Sequence, residues 1–247
     1  MSAPLPLPPD PLAEARRPGT SYALVLRFTP EANRDVLAFL FVLKLTLDRL
    51  LEAGSEPGVM RAKALWWEEE LGRATRGGSR HPLTLRAQSL GLLSARGTED
   101  LPRFAAGYVP LVGTSQVTAE DLLARAEASG GELLERVARA LGECGPEERE
   151  GARLAGTAHE AVALLLHDRG TRERFPEGDE GRRALLARIR ADLDALPERL
   201  GRSWTGGGQR ATRILVALTR ARLLHGEPGP LRKIFLAWWH ARHEHDD

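Results

Sequence analysis

Residues 36 to 47, VLAFLFVLKLTL, limit the fold more than any other part of the chain. The run is apolar apart from Lys44 and Thr46. It is too short to cross a bilayer, which takes about 20 apolar residues, so it belongs in a protein core. Its surroundings, TPEANRDVLAFLFVLKLTLDRLLEAG, predict one long helix. Thr29 suits the N-cap, Pro30 the first turn, and Glu31 and Asp35 the positive end of the helix dipole. Gly54 suits its end. Leu40, Leu43, Leu47, Leu50 and Leu51 recur at helical spacing and predict a buried stripe.

The other segments repeat that pattern. Leu, Ala, Arg and Glu dominate, and alternating runs rich in Val and Ile are nearly absent, which favours an all-α fold. Aromatic residues make up 5% of the chain, so Leu and Ala must fill most of the core. Helices are expected over EPGVMRAKALWWEEELGRATRGG, from Pro82, and from Glu99 to Phe104. Another starts at Thr118, with Asp121 placed for a near capping box. Gly130 and Gly131 fall inside that helix and predict a kink or a close crossing. Four more follow in PEEREGARLAGTAHEAVALLLHDRG, GDEGRRALLARIRADLDALPERLG, GQRATRILVALTRARLLHGEPG and PLRKIFLAWWHARHEH.

Short connections and the lack of an internal repeat predict one helical bundle over residues 20 to 247. It follows a flexible, Pro-rich arm, MSAPLPLPPDPLAEARRPG, over residues 1 to 19. A net charge of +1 supplies no general drive toward nucleic acid. Cys144 is the single cysteine, so no disulfide framework is expected and a reducing compartment fits. No cationic start leads into an apolar run, so no secretory signal is expected. The expected location is the cytoplasm, with peripheral contact at an inner membrane as the membrane-associated alternative.

Three blocks carry a resemblance. The first is SYALVLRFTPEANRDVLAFLFVL, with a Ser-aromatic start and an apolar helix. The second, RAKALWWEEELGRATRGGSRHPLT, combines a tryptophan pair, an acidic patch, a turn and His-Pro. The third is AEDLLARAEASGGELLERVARALG with GTAHEAVALLLHD and RFP. Together, over roughly residues 20 to 180, they resemble the squalene/phytoene synthase family. That resemblance implies an isoprenoid-synthase-like bundle.

It also implies where magnesium would sit. In such enzymes aspartates four residues apart project from facing helices and hold Mg²⁺ on a diphosphate. Here Leu47 and Leu51 stand at the two chelating positions, and Asp48 falls at the middle one. A shifted register, Asp48 with Glu52, could imitate the pair, but one residue turns a side chain by about 100°. Lys44, one turn before Asp48, is instead expected to form an exposed ion pair with it. In the second motif Asp168 is kept, while Arg172 replaces the second aspartate.

The pattern is closest to the motif-degenerate branch that resembles the assembly factors of respiratory complex I. It implies a catalytically inactive scaffold with a protein partner, such as a respiratory complex subunit, and no cofactor. Two alternatives stay open. One is a Mg²⁺-dependent prenyltransferase that uses Asp48, Glu52 and Asp168. The other is a non-catalytic protein with an isoprenoid ligand.

Other features allow blander readings. Adjacent Trp66 and Trp67 diverge by about 100°, so one can be buried while the other sits at a boundary. Trp238 and Trp239, with Arg232, Lys233 and Arg242, form a basic amphipathic helix. It can dock on the bundle or meet a partner or membrane surface. His240, His243 and His245 read as a frayed tail, and SWTGGGQRAT as a loop. His81 and His159 read as structural. Arg61, Lys63, Arg73, Arg76 and Arg80 read as a solvated face balanced by Glu68, Glu69 and Glu70.

Overall fold

A computed structural model describes residues 10–51, 56–112, 118–142, 144–167, 178–200 and 209–242. Helices make up the fold, and no strand occurs among the described residues. In chain order they are α1 (Ser21–Arg27), α2 (Glu31–Asp48), α3 (Pro57–Ala74), α4 (Pro82–Ser89) and α5 (Leu101–Ala106). Then come α6 (Ala119–Ala126), α7 (Glu132–Leu141), α8 (Pro146–His167), α9 (Gly178–Leu200), α10 (Arg210–His225) and α11 (Pro230–Arg242). The all-α expectation is met.

The N-terminal arm departs from expectation. Residues 11 to 16 form a 3-10 helix that packs on α2 and α4. Pro11 starts it, and the Asp10 carboxylate accepts the Leu12 N–H at 3.1 Å. Leu12 and Ala15, three apart, are buried on one face, and Arg16 bridges to Asp35 at 2.6 Å. Two apolar side chains and an ion pair thus fix the part of the arm expected to be flexible.

Helix α1 was not anticipated either. Thr20 caps it by accepting the Ala23 N–H, and Leu24, Val25 and Leu26 are buried. Thr29 therefore belongs to the end of α1: its hydroxyl donates to the Val25 carbonyl at 2.8 Å. Pro30 takes the N-cap of α2 without a side-chain bond.

Helix α2 is enclosed on every side. All residues from Val36 to Lys44 are buried, not a stripe of them. A helix that is apolar all round can only be accommodated in this way. Leu37, Phe39, Leu40, Phe41 and Leu43 have no exposed surface, so no water-sized void adjoins them.

The remaining helices start and stop for local reasons. Glu56 caps α3 with its carboxylate, and Gly77, in the left-handed region at φ +83°, ends the segment. Thr118 and Asp121 form the full capping box of α6. Between α6 and α7 the backbone widens into a π-turn over Glu127–Gly131. There Gly130 meets Gly156 of α8, and a Cβ on Gly156 would lie 2.1 Å from the Gly130 carbonyl oxygen. Of the expected kink or close crossing, the close crossing occurs, because only glycine permits the two backbones to touch.

Candidate functional site

The close crossing of α6–α7 on α8 brings Glu160, one turn beyond Gly156, against α2. Lys44 projects from α2 into this space with its side chain only 3% exposed. Its ammonium nitrogen lies 2.5 Å from Asp48 Oδ2 and 2.8 Å from Glu160 Oε2. The expected Lys44–Asp48 pair does form, but the reading of it as a surface pair is corrected. A lysine in the middle of an all-round apolar helix has nowhere to go but inward.

Two phenols complete the centre. The Tyr108 hydroxyl, after α5, donates to Asp48 Oδ1 at 3.0 Å. The Tyr22 side chain, from α1, hydrogen-bonds to Lys44 and stacks on Phe41 with ring centroids 4.4 Å apart. The chain has two tyrosines, and both are used here.

Burial pushes both phenols up, so they stay protonated. Burial alone would lower the Lys44 pKa, yet Asp48 and Glu160 outweigh it and hold the group well above its ordinary value. An ammonium so held is neither a base nor a nucleophile at neutral pH. Five side chains from α1, α2, α8 and the turn after α5 therefore form one charge network.

This donor set does not fit the Mg²⁺ that the family resemblance implies. Divalent cations take several unencumbered oxygen ligands. Asp48 already gives one oxygen to Lys44 and the other to Tyr108. The lysine charge lies between the carboxylates, where a cation would bridge them. Leu47 is fully buried and Leu51 half-buried, in keeping with an apolar lining. Glu52, Asp168 and Arg172 lie outside the described residues, as do His243, His245 and most of SWTGGGQRAT. Among the described residues no three His, Cys, Asp or Glu side chains converge on one point.

A second buried charge was missed. Glu70 of α3, expected on a solvated face, has no exposed surface. It accepts the Thr84 hydroxyl at 2.5 Å, the Arg80 and His81 N–H groups at 2.8 and 2.9 Å, and Arg73 at 3.0 Å. Burial would raise its carboxyl, but those donors outweigh it and hold the pKa down to about 2. The carboxylate pins the loop between α3 and α4. His81 begins α4 by accepting the Leu83 N–H on Nδ1, and packs 4.6 Å from the Trp67 ring. Trp67 is buried and Trp66 is 40% exposed, as their angular separation required. Arg61, Lys63, Arg76 and Arg80 are exposed.

His159 is structural in placement: it is buried, with Nδ1 2.8 Å from the Thr219 hydroxyl, and burial lowers its pKa to about 3. In α11, Trp238 and Trp239 are exposed and Arg232 is also at the surface. Lys233 is not free to meet a surface, because it pairs with Glu227 and hydrogen-bonds to the Gly19 carbonyl.

Sequence reasoning missed Glu160, Tyr22 and Tyr108. The usable signal was the pairing of Gly130 with Gly156, which marks a contact and puts Glu160 beside it. Compared by sequence with known proteins, the chain matches no family model and no curated protein.

Proposed function

We propose that this chain is a squalene/phytoene-synthase-like helical bundle without catalytic activity. It acts as a scaffold or assembly factor, and respiratory complex I is the client class that the sequence resemblance implies. One observation carries the reading: the Lys44 ammonium occupies the space between Asp48 and Glu160. A carboxylate pair that already shares its own lysine keeps one net negative charge but no free oxygen on Asp48, a poor clamp for a metal-bound diphosphate.

The prenyltransferase alternative needs Asp48 as a ligand, and that residue is already committed on both oxygens. The isoprenoid-binding alternative needs space beside the apolar helix, and the α2 side chains from Leu37 to Phe41 leave none next to themselves.

Pyrophosphate release from farnesyl and geranylgeranyl diphosphate, with and without Mg²⁺, tests the reading. No release by the folded protein is expected, together with co-purification of a respiratory complex subunit. Metal-dependent release that is lost in Asp48→Ala would overturn it.

A further inference from the structure

One side of α2 is closed by a weakly held segment. The helix is buried all round from Val36 to Lys44, so each side needs a neighbour. Helices α1, α4 and α7 supply part of that cover. Another part is the 3-10 helix Pro11–Arg16, which packs on α1, α2 and α4. Such helices are short because their hydrogen-bond geometry is poor. Of its six residues, only Leu12 and Ala15 are buried. Ordering the segment costs conformational entropy at every residue, and burial of one leucine and one alanine is what offsets it.

The other tethers are ionic and wet. Asp10 pairs with Arg16 at 3.2 Å and with Arg86 of α4 at 3.6 Å. Arg16 pairs with Asp35 of α2 at 2.6 Å, and Glu14 with Arg49 just beyond α2. Every side chain in these four pairs is at least 37% exposed. Pairs of that kind stabilise little, and salt screens them. The join to the bundle also lets the segment leave without disturbing α1. The Thr20 hydroxyl donates to the Arg17 carbonyl at 2.9 Å, which closes a turn. Within it Gly19 lies in the left-handed region at φ +86°, with open space where a Cβ would stand. Beyond the turn the chain is fixed by other means. Thr20 caps α1, the Gly19 carbonyl accepts from Lys233 at 3.4 Å, and the Ser21 hydroxyl accepts from Arg222 at 3.3 Å.

We infer that residues 10 to 16 are a detachable strap. They lift from α2 and α4 as a unit, about the turn from Arg17 to Thr20, while the bundle stays folded. Lifting lays bare the apolar side of α2 that the strap covers. Leu12 and Ala15 draw the strap back to its seat, and the ionic strength sets how often it opens. The occupant of the seat is the strap itself. The inference stands independently of whether the interior of the bundle is catalytic.

Native-state hydrogen exchange of the full chain tests it. The Leu12, Ala13 and Arg17 N–H groups report the strap, because each is hydrogen-bonded within it. The amides of Val36 to Lys44 report the bundle. Rates are corrected against a free peptide of the strap sequence. Strap amides are expected to exchange roughly a hundredfold or more faster than α2 amides. Urea below the unfolding transition is expected to leave the strap rate unchanged and to raise the α2 rate, because local opening exposes little surface. Raising NaCl from about 0.02 to about 0.5 M is expected to speed strap exchange roughly threefold or more. The double substitution Arg16→Gln, Arg49→Gln is expected to speed it by a similar factor at low salt and to remove most of the salt effect. Circular dichroism confirms that the variant is folded, and the urea and salt series on the unsubstituted chain decide the matter without it. Strap amides that share the α2 rate and its urea dependence overturn the inference, by making the strap an integral part of the core. Strap amides as fast as the free peptide overturn it as well, by showing that nothing is docked. So does a strap rate that salt leaves unchanged.

Discussion

Helices α2 and α11 are both strongly apolar, and the fold places them in opposite senses. Helix α2 is enclosed, with Leu37 to Phe41 fully buried. Helix α11 turns its aromatic ridge outward and its alanines inward. The difference lies in how the apolar residues are distributed. Helix α2 is apolar all round, so every side needs a neighbour, and its one lysine must be neutralised inside. Helix α11 has a narrow face of small residues. That face docks with Leu236 beside it and leaves the aromatic side chains exposed.

The largest effect that would test the contrast is in α2. Leu47→Asp places an unpaired carboxylate in the core and is expected to cost more than about 3 kcal/mol in urea unfolding. The matching change in α11, Phe235→Asp, is expected to stay within about 1 kcal/mol. If the two midpoints fall together, the contrast fails.

Lys44→Met removes the cation from between Asp48 and Glu160 and leaves two partly buried carboxylates facing each other. A loss of about 3–5 kcal/mol is expected. A loss below about 1 kcal/mol would mean the centre is as wet as the α11 surface. Asp48→Ala, which leaves Lys44 with Glu160 and deprives Tyr108 of its acceptor, is expected to cost about 1–3 kcal/mol.

Gly156→Ala puts a methyl group 2.1 Å from the Gly130 carbonyl oxygen. It is expected to cost about 1–3 kcal/mol by forcing α8 from α6–α7, and to loosen the Glu160 contact. Ala237→Ser on α11 is the smaller counterpart.

Acid separates the interior from the surface as well. His159 titrates near 3 when folded and at its ordinary 6.5 when unfolded. Between those values the unfolded chain binds the extra proton, so stability falls as pH falls, by at most about 1.4 kcal/mol per unit. Glu70, at about 2 folded and 4.5 unfolded, adds stability above 4.5 that is lost on the way down to 2. Urea midpoints are therefore expected to fall below pH 6.5 and more steeply below 4.5. Glu70→Gln is expected to lessen the steeper part without abolishing it, because, against the effect of burial, Lys233 and Arg222 also hold Glu227 down to about 2. A flat profile would contradict the burial of both groups. The smallest effect is Trp238→Ser, expected to change stability by about 0.5 kcal/mol or less in urea unfolding.

Much of the fold was legible in advance. The Thr118 and Asp121 capping box, the Pro57 and Pro82 helix starts and the Gly130 crossing follow from local chemistry, because caps and glycines act over a few residues. The helix α1 and the docked arm were harder to see, since Leu12 and Ala15 become meaningful only beside α2. The Lys44–Asp48 pair was visible from its spacing of four, but its burial was not. Glu70 looked like one of three equivalent glutamates, and only the position of Thr84 and of the Arg80 and His81 amides singles it out.

The sequence by itself determined that the chain is helical, that residues 36 to 47 are core, and that Leu47 and Leu51 cannot chelate a cation. These are properties of residue type and short-range period. The tertiary structure alone decided that Lys44 is shared by Asp48 and Glu160 under Tyr22 and Tyr108, and that α11 faces outward. Both depend on which helix lies beside which. Glu160 is 116 residues from Lys44 along the chain, and no local pattern encodes that contact.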